Sequence, residues 1–231
     1  VLLVEDQKTH EFYSAKVMSR KDIENRNMVH SIINEVNILQ EIDHPHIIKI
    51  QEFFELKNEY DEEYYIIIME YCPNGDLLSY ATGPGFKSET EKKKIIQGFL
   101  EAIEYLHDNG ISHGDIKPEN ILLDKHFSPK LCDFGFCRKS LIGGDDCKNG
   151  TLYYAAPELF SKGQFDTLKT DIYAIGITLY SLSELQFPFK DGDQNFIIKQ
   201  IVNGCLSIRQ DMDENLMKLV QKCTDMNPQM R

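Results

Sequence analysis

Positive charge is scarce in this chain. Its 25 Lys and Arg against 37 Asp and Glu leave a formal charge of -12, which opposes non-specific binding to nucleic acid or to an anionic membrane surface. A cationic partner suits such a surface better, although acidity also simply keeps a protein soluble. The six cysteines, Cys72, Cys132, Cys137, Cys147, Cys205 and Cys223, form no CxxC pair and have no histidines at metal-ligand spacing. Reduced thiols in an intracellular protein are therefore expected. No apolar run approaches the roughly 18 residues of a membrane span, and no basic stretch precedes Val1-Leu2-Leu3-Val4 as a secretory leader would require. A cytoplasmic location is the expectation, with a nuclear one possible on the same grounds. Internal repeats and low-complexity segments are also absent.

What is present is enough for a substantial core: 231 residues, 42% of them apolar, make one large domain or two smaller lobes. Strand formers dominate Glu11 to Met18 and Tyr64 to Tyr71. Between them Ile32, Val36 and Leu39 recur at helical spacing, and the acidic stretch Asn58 to Glu63 reads as a hairpin turn. From Ser88 the pattern becomes helical, with Ser88 and Glu91 as a capping box and Gly110 as the stop. Short strands are expected at Ile121-Leu122-Leu123 and Lys130-Leu131-Cys132, then helices over about Lys169 to Leu185 and Asp213 to Thr224. Strands first and helices afterwards indicate an α+β protein, with a small sheet lobe carrying one helix, a larger helical lobe, and Pro73-Asn74-Gly75 as the hinge.

The chemistry concentrates in two polar loops. His113-Gly114-Asp115-Ile116-Lys117-Pro118-Glu119-Asn120 follows the long helix, and Asp133-Phe134-Gly135 follows a short strand. Phosphoryl transfer needs such groups: one carboxylate to orient a hydroxyl, a second to hold magnesium, and an amide oxygen to complete the metal shell. With Ala156-Pro157-Glu158 in order behind them, these motifs resemble the eukaryotic-type serine/threonine protein kinases. The likeness runs through essentially the whole chain, and it leans loosely toward calcium/calmodulin-dependent and AMP-activated-like members.

That resemblance implies a two-lobed fold, with an N-terminal lobe over residues 1–71 and the hinge and helical lobe over 72–231. It implies ATP and Mg2+ as cofactors, and serine or threonine in a protein as the acceptor. Asp115 would be the catalytic base, Asn120 and Asp133 the metal ligands, and Lys117 the cation on the transferring phosphate. Thr151 would bond the catalytic aspartate. In Tyr13-Ser14-Ala15-Lys16, Lys16 matches the lysine that contacts the α- and β-phosphates, with Glu35 as its ion-pair partner. Around the adenine and ribose the match places Val1, Ser14, Met69 as gatekeeper, the hinge Glu70-Tyr71-Cys72, Asp76 and Leu122. Leu39, Ile50, His113 and Phe134 match a stack of packing side chains. Glu158 with Arg231, and Asp171, are structural by the same match.

Three features depart from the pattern. Gly114 stands where most kinases carry an arginine that pairs with an activation-loop phosphate. The matching acceptor position holds Cys147, and between Phe136 and Gly150 only Ser140 bears a hydroxyl. Asp145 and Asp146 offer fixed charge there, but without that arginine as partner. Activity independent of loop phosphorylation is the resulting expectation. Finally, no GxGxxG precedes Lys16, and Val1 aligns with the valine that follows this loop. The expectation is truncation, with weak ATP binding and slow turnover by the chain as it stands. The alternative function is a pseudokinase, a nucleotide-binding or scaffolding module. Intact Lys16, Glu35, Asp115, Asn120 and Asp133 argue against it. Asp76 and Glu119 match acidic positions that receive basic residues of substrates, so a basic target motif is expected.

Overall fold

Residues rich in β-branched and aromatic side chains fill the first 70 positions and form a four-stranded antiparallel sheet. The computed structural model describes residues 1–139, 142–144 and 150–231; Ser140, Asp145, Asp146 and Cys147, named above, lie outside the described residues. The strands are β1 (Leu2–Glu5), β2 (Phe12–Ser19), β3 (Ile50–Lys57) and β4 (Glu63–Glu70), in the order β1-β2-β4-β3. The acidic turn joins β3 to β4: Asn58 Oδ1 accepts from the backbone N–H groups of Tyr60 and Glu62, and Asp61 adopts a left-handed φ of 69°. β3 escapes a reading by alternation because its pairing slips between Ile50 and Glu52, which breaks the period of two.

One face of this sheet packs on α2 (Val29–Glu41). Ile32 and Val36, four residues apart on one helical stripe, meet Tyr65 and Ile67, with Met18, Ile50, Phe53 and Met69 around them. Burying each such aliphatic side chain contributes about 1.5–3 kcal/mol. The same stripe also buries a carboxylate, Glu35. A short α1 (Arg20–Asn25) opens directly off β2, with the Ser19 side chain accepting from Asp22 N–H. At six residues it is too brief to display helical periodicity, as is α3 (Leu77–Thr82), capped by Asp76.

The chain's contacts define two compact units. The first holds residues 1–75, 87–102 and 121–135; the second holds 76–86, 103–120 and 136–231. α4 (Glu89–Asp108) contributes to both. At its start Ser88 Oγ accepts from Glu91 N–H at 3.1 Å, while the Glu91 carboxylate reaches back to Lys87 N–H rather than to Ser88. In the first unit β5 (Ile121–Leu123) pairs with β6 (Pro129–Leu131).

The second unit is built on α5 (Thr167–Glu184), capped by the Asp166 side chain; thirteen of its 18 residues are buried, polar Thr170, Asp171, Thr178 and Ser181 among them. α6 (Gln194–Val202) and α7 (Glu214–Cys223) begin at Asp193 and Asp213, each accepting from an N–H of its first turn. β7 (Ile142–Gly143) pairs with β8 (Phe165–Asp166). The class is α+β. Among the described residues no helix is long and apolar enough to cross a membrane.

Candidate active site

In the first unit Lys16 sits mid-way along β2, opposite Ile67 of β4. Its Nζ donates to both Glu35 oxygens at 2.9 Å each and lies 3.4 Å from Asp133 Oδ1. The Glu35 side chain is 3% exposed, whereas that of Asp133 is 44% exposed. Burial works to lower the Lys16 pKa, but the charges of Glu35 and Asp133 outweigh it and hold the ammonium above its ordinary value. The same burial pushes the Glu35 carboxyl upward against the pull of Lys16. Each group therefore depends on the other. Asp133 itself has a left-handed φ of 63°, uncommon for a residue with a side chain and a mark of functional sites.

In the second unit three predicted residues, Lys117, Asn120 and Thr151, converge on Asp115. Its Oδ1 accepts from the backbone N–H and the hydroxyl of Thr151, both at 2.9 Å. Its Oδ2 accepts from Lys117 Nζ at 2.6 Å and from Asn120 Nδ2 at 3.0 Å. Lys117 also donates to Thr151 Oγ1 at 2.7 Å. Burial alone would raise the Asp115 pKa; the Lys117 contact and the Thr151 bond overcome this and hold the carboxyl below its usual range. Asp115 is thus an ionised, fully bonded carboxylate. The loop before it hangs on Asp171, whose Oδ2 accepts from His113 N–H at 2.7 Å and whose Oδ1 accepts from Gly114 N–H at 2.9 Å. His107, at the end of α4, places Nε2 3.0 Å from the same Oδ2. Sequence reading missed His107: it stands as one polar residue in a last helical turn, and its partner is 64 positions away.

Glu158 and Arg231 form a bidentate pair at 2.6 and 3.1 Å, with the Arg231 side chain fully buried. Other predicted residues have local duties. Ser14 and Met69 are register partners across β2 and β4, and Leu122 pairs with Lys130. The Glu70 carboxylate is engaged by Lys130 and by Lys49 N–H. Asp76 accepts from both the backbone and the hydroxyl of Ser79. Val1 is exposed. Tyr154, also missed, directs its hydroxyl to Glu119 Oε2 at 3.4 Å. Burial pushes the Cys72 thiol up to about 12 and the Cys132 thiol higher still.

A carboxylate bonded by a lysine, and a lysine–glutamate pair beside an exposed aspartate, are groups of the kind phosphoryl transfer uses. Over residues 1–231 the chain matches the family described as the protein kinase domain. It is 30% identical, over its whole length, to the carbon catabolite-derepressing protein kinase of Secale cereale, 46% of which is covered. To the sucrose non-fermenting protein kinase 1 of Fusarium virguliforme it is 33% identical over 92% of its length, covering 30% of that protein. The CBL-interacting serine/threonine-protein kinase 3 of Arabidopsis thaliana is 28% identical over the whole chain, with 52% covered. The chain belongs to the protein kinase domain family, of the eukaryotic serine/threonine type. It spans about half the length, or less, of these curated relatives.

Membership implies ATP and a divalent metal. Each unit by itself offers an oxygen donor of the kind a hard cation takes. Asp133 offers an exposed carboxylate, and Asn120 spends its Nδ2 on the Asp115 carbonyl and carboxylate, so that its amide oxygen is the atom left to coordinate. Among the described residues no group of three or more His, Cys, Asp or Glu forms a ready-made metal cage.

Proposed function

We propose that this domain transfers the γ-phosphate of ATP to serine or threonine hydroxyls of proteins, with magnesium held by Asp133 and Asn120. The observation that carries the reading is the four-point seat of Asp115. A carboxylate held below its ordinary pKa is a weak base, so its first task is to orient the acceptor hydroxyl. It takes the proton only as the new P–O bond forms. Lys117, bonded to both Asp115 and Thr151, carries positive charge to where the transferring phosphate gains negative charge. Lys16, kept charged by Glu35, serves the α- and β-phosphates.

Activity without activation-loop phosphorylation belongs to the same proposal, supported by Gly114 in place of the phosphate-binding arginine. So does a preference for basic residues near the target, supported by the charge of -12 and by Glu119. A cytoplasmic or nuclear setting suits the free thiols, among them the exposed Cys205.

The test is radiolabelled transfer from ATP to a peptide library by unphosphorylated full-length protein, beside Asp133→Ala. Wild-type label that vanishes in the variant, enriched on peptides with Arg or Lys, is the expected result. Equal signal from both, or nucleotide binding without transfer, would establish the pseudokinase alternative.

A further inference from the structure

From Tyr64 to Met69 the strand β4 shows no alternation of apolar and polar residues. An antiparallel strand with one covered face alternates, whereas an unbroken run is the pattern of a strand covered on both. The face formed by Tyr65, Ile67 and their neighbours has its cover, the Ile32 and Val36 stripe of α2. The alternate positions point the other way. There the cross-strand register lines up Leu2, Ala15 and Ile68 in one row and Val17, Ile66 and Phe54 in the next, with Leu56 beyond them beside Tyr64. Ala15 and Ile66 in the middle are buried, but Leu2, Val17, Phe54 and Leu56 are between 38% and 59% exposed. Contiguous apolar patches left open in this way mark interaction surfaces.

The charge on this face has one sign. None of the outward positions of the four strands is Lys or Arg, while Glu52 shares the row of Ile68 and is exposed. Glu11 and Glu62 each stand two residues before an outward tyrosine and accept from the Tyr13 and Tyr64 hydroxyls at 2.8 Å. Because β2 and β4 run antiparallel, these two carboxylates mark opposite ends of the apolar stripe. A second copy of this chain would set carboxylate against carboxylate, and an anionic lipid surface would be repelled. A basic partner is attracted instead. The three two-residue steps from the row of Tyr13 to that of Tyr64 span about 20 Å, the length of a helix of about 14 residues. The opposite face is already covered by such a helix, the 13 residues of α2.

We propose that the outer face of this sheet docks an amphipathic helix of a partner protein, its apolar stripe seated on Leu2, Val17, Phe54 and Leu56 and its Lys or Arg residues on Glu11, Glu52 and Glu62. The site lies wholly within the first unit and does not depend on the phosphotransfer reading. Apolar contact supplies the hold, and the carboxylates at the ends and side of the stripe select the sign of the partner's charge.

The test screens full-length protein against a displayed library of helical peptides of about 18 residues, each with an apolar stripe at helical spacing and randomised flanking positions. Val17→Ser/Phe54→Ser and Glu52→Lys are screened beside wild type. Peptides held by wild type are expected to carry Lys or Arg beside the stripe and to lose about tenfold or more in affinity on the double variant. Glu52→Lys should weaken the same peptides by about threefold or more and should relax the preference for basic flanks. On binding, the methyl resonances of Leu2, Val17 and Leu56 should shift while those of Val36 and Ile67, on the covered face, stay in place. Phosphotransfer to a short peptide should be the same in all three proteins. Should the double variant unfold, Glu52→Lys and the methyl shifts decide the matter, since that substitution removes no apolar contact. Enrichment of neutral or acidic flanks would overturn the proposal, as would a library with no peptide whose binding depends on Val17 and Phe54. So would a wild type that dimerises through this face, with the double variant monomeric, or one that binds phosphatidylserine vesicles through it.

Discussion

The two units hold their charged residues by different means. Lys16 is one donor group shared among three carboxylate oxygens, and its main partner Glu35 is almost wholly buried. Asp115 is the reverse, one carboxylate served by four donor contacts from three residues. The first arrangement fails at a single substitution, because a buried carboxylate without its cation is among the costliest groups to leave unpaired. The second is redundant, so removing one donor retunes the aspartate without stranding it.

The largest effect should come from breaking the first arrangement. Lys16→Met leaves Glu35 buried and unpaired, and the expected destabilisation is about 3–5 kcal/mol, read by denaturant unfolding, with phosphotransfer lost. The sharper test is the double variant Lys16→Met/Glu35→Gln, in which a neutral amide replaces the stranded charge. Stability should recover most of its loss while transfer does not, giving a coupling energy well above zero in the double-mutant cycle. Additive losses would mean that the pair is not coupled.

Breaking the second arrangement should do less to the fold and more to the pH profile. Lys117→Met is expected to reduce kcat about 10- to 100-fold, with a smaller loss of stability than Lys16→Met. Burial would raise the Asp115 pKa, but Lys117 together with the Thr151 bond holds it below its ordinary value. Its ionised form therefore stabilises the fold above the unfolded pKa, and that stability is lost as pH falls through the folded value. Without Lys117 the folded pKa rises, so the acid limb of kcat/KM should move to higher pH. An acid limb that stays in place would show that Lys117 does not set the charge of Asp115.

How much of this was legible in the sequence follows from range. Ile32, Val36 and Leu39 announce α2 because helical periodicity is local, and Ser88 with Glu91 marks the start of α4 because capping spans three residues. The site residues were named from motifs whose order a linear reading preserves. What stayed hidden was long-range or depended on backbone conformation. The His107 contact to Asp171, the Tyr154 contact to Glu119, and the left-handed Gly114 beneath the Phe136 carbonyl have no local signature. The glycine was visible only as a departure; its left-handed φ of 82° needed coordinates. β3 was hidden by its pairing slip, and α1 and α3 by their length.

The smallest expected effect sharpens the contrast from the other side, because satisfaction around Asp115 does not extend through the whole second unit. The Tyr173 hydroxyl on α5 is buried and has no hydrogen-bond partner among the described residues, while its ring lies under the Arg231 guanidinium at 5.0 Å. Burial pushes this phenol well above its ordinary pKa, so the group stays neutral and simply lacks the bonds it would make in water. Phenylalanine keeps the ring, and with it the cation–π contact, while deleting the orphan oxygen. Tyr173→Phe should therefore be neutral to stabilising by about 1 kcal/mol, raising Tm by about 2–4 °C with phosphotransfer unchanged. A loss of stability would mean that the hydroxyl is bonded after all, leaving Thr178 Oγ1 as the buried α5 side-chain oxygen without a partner among the described residues.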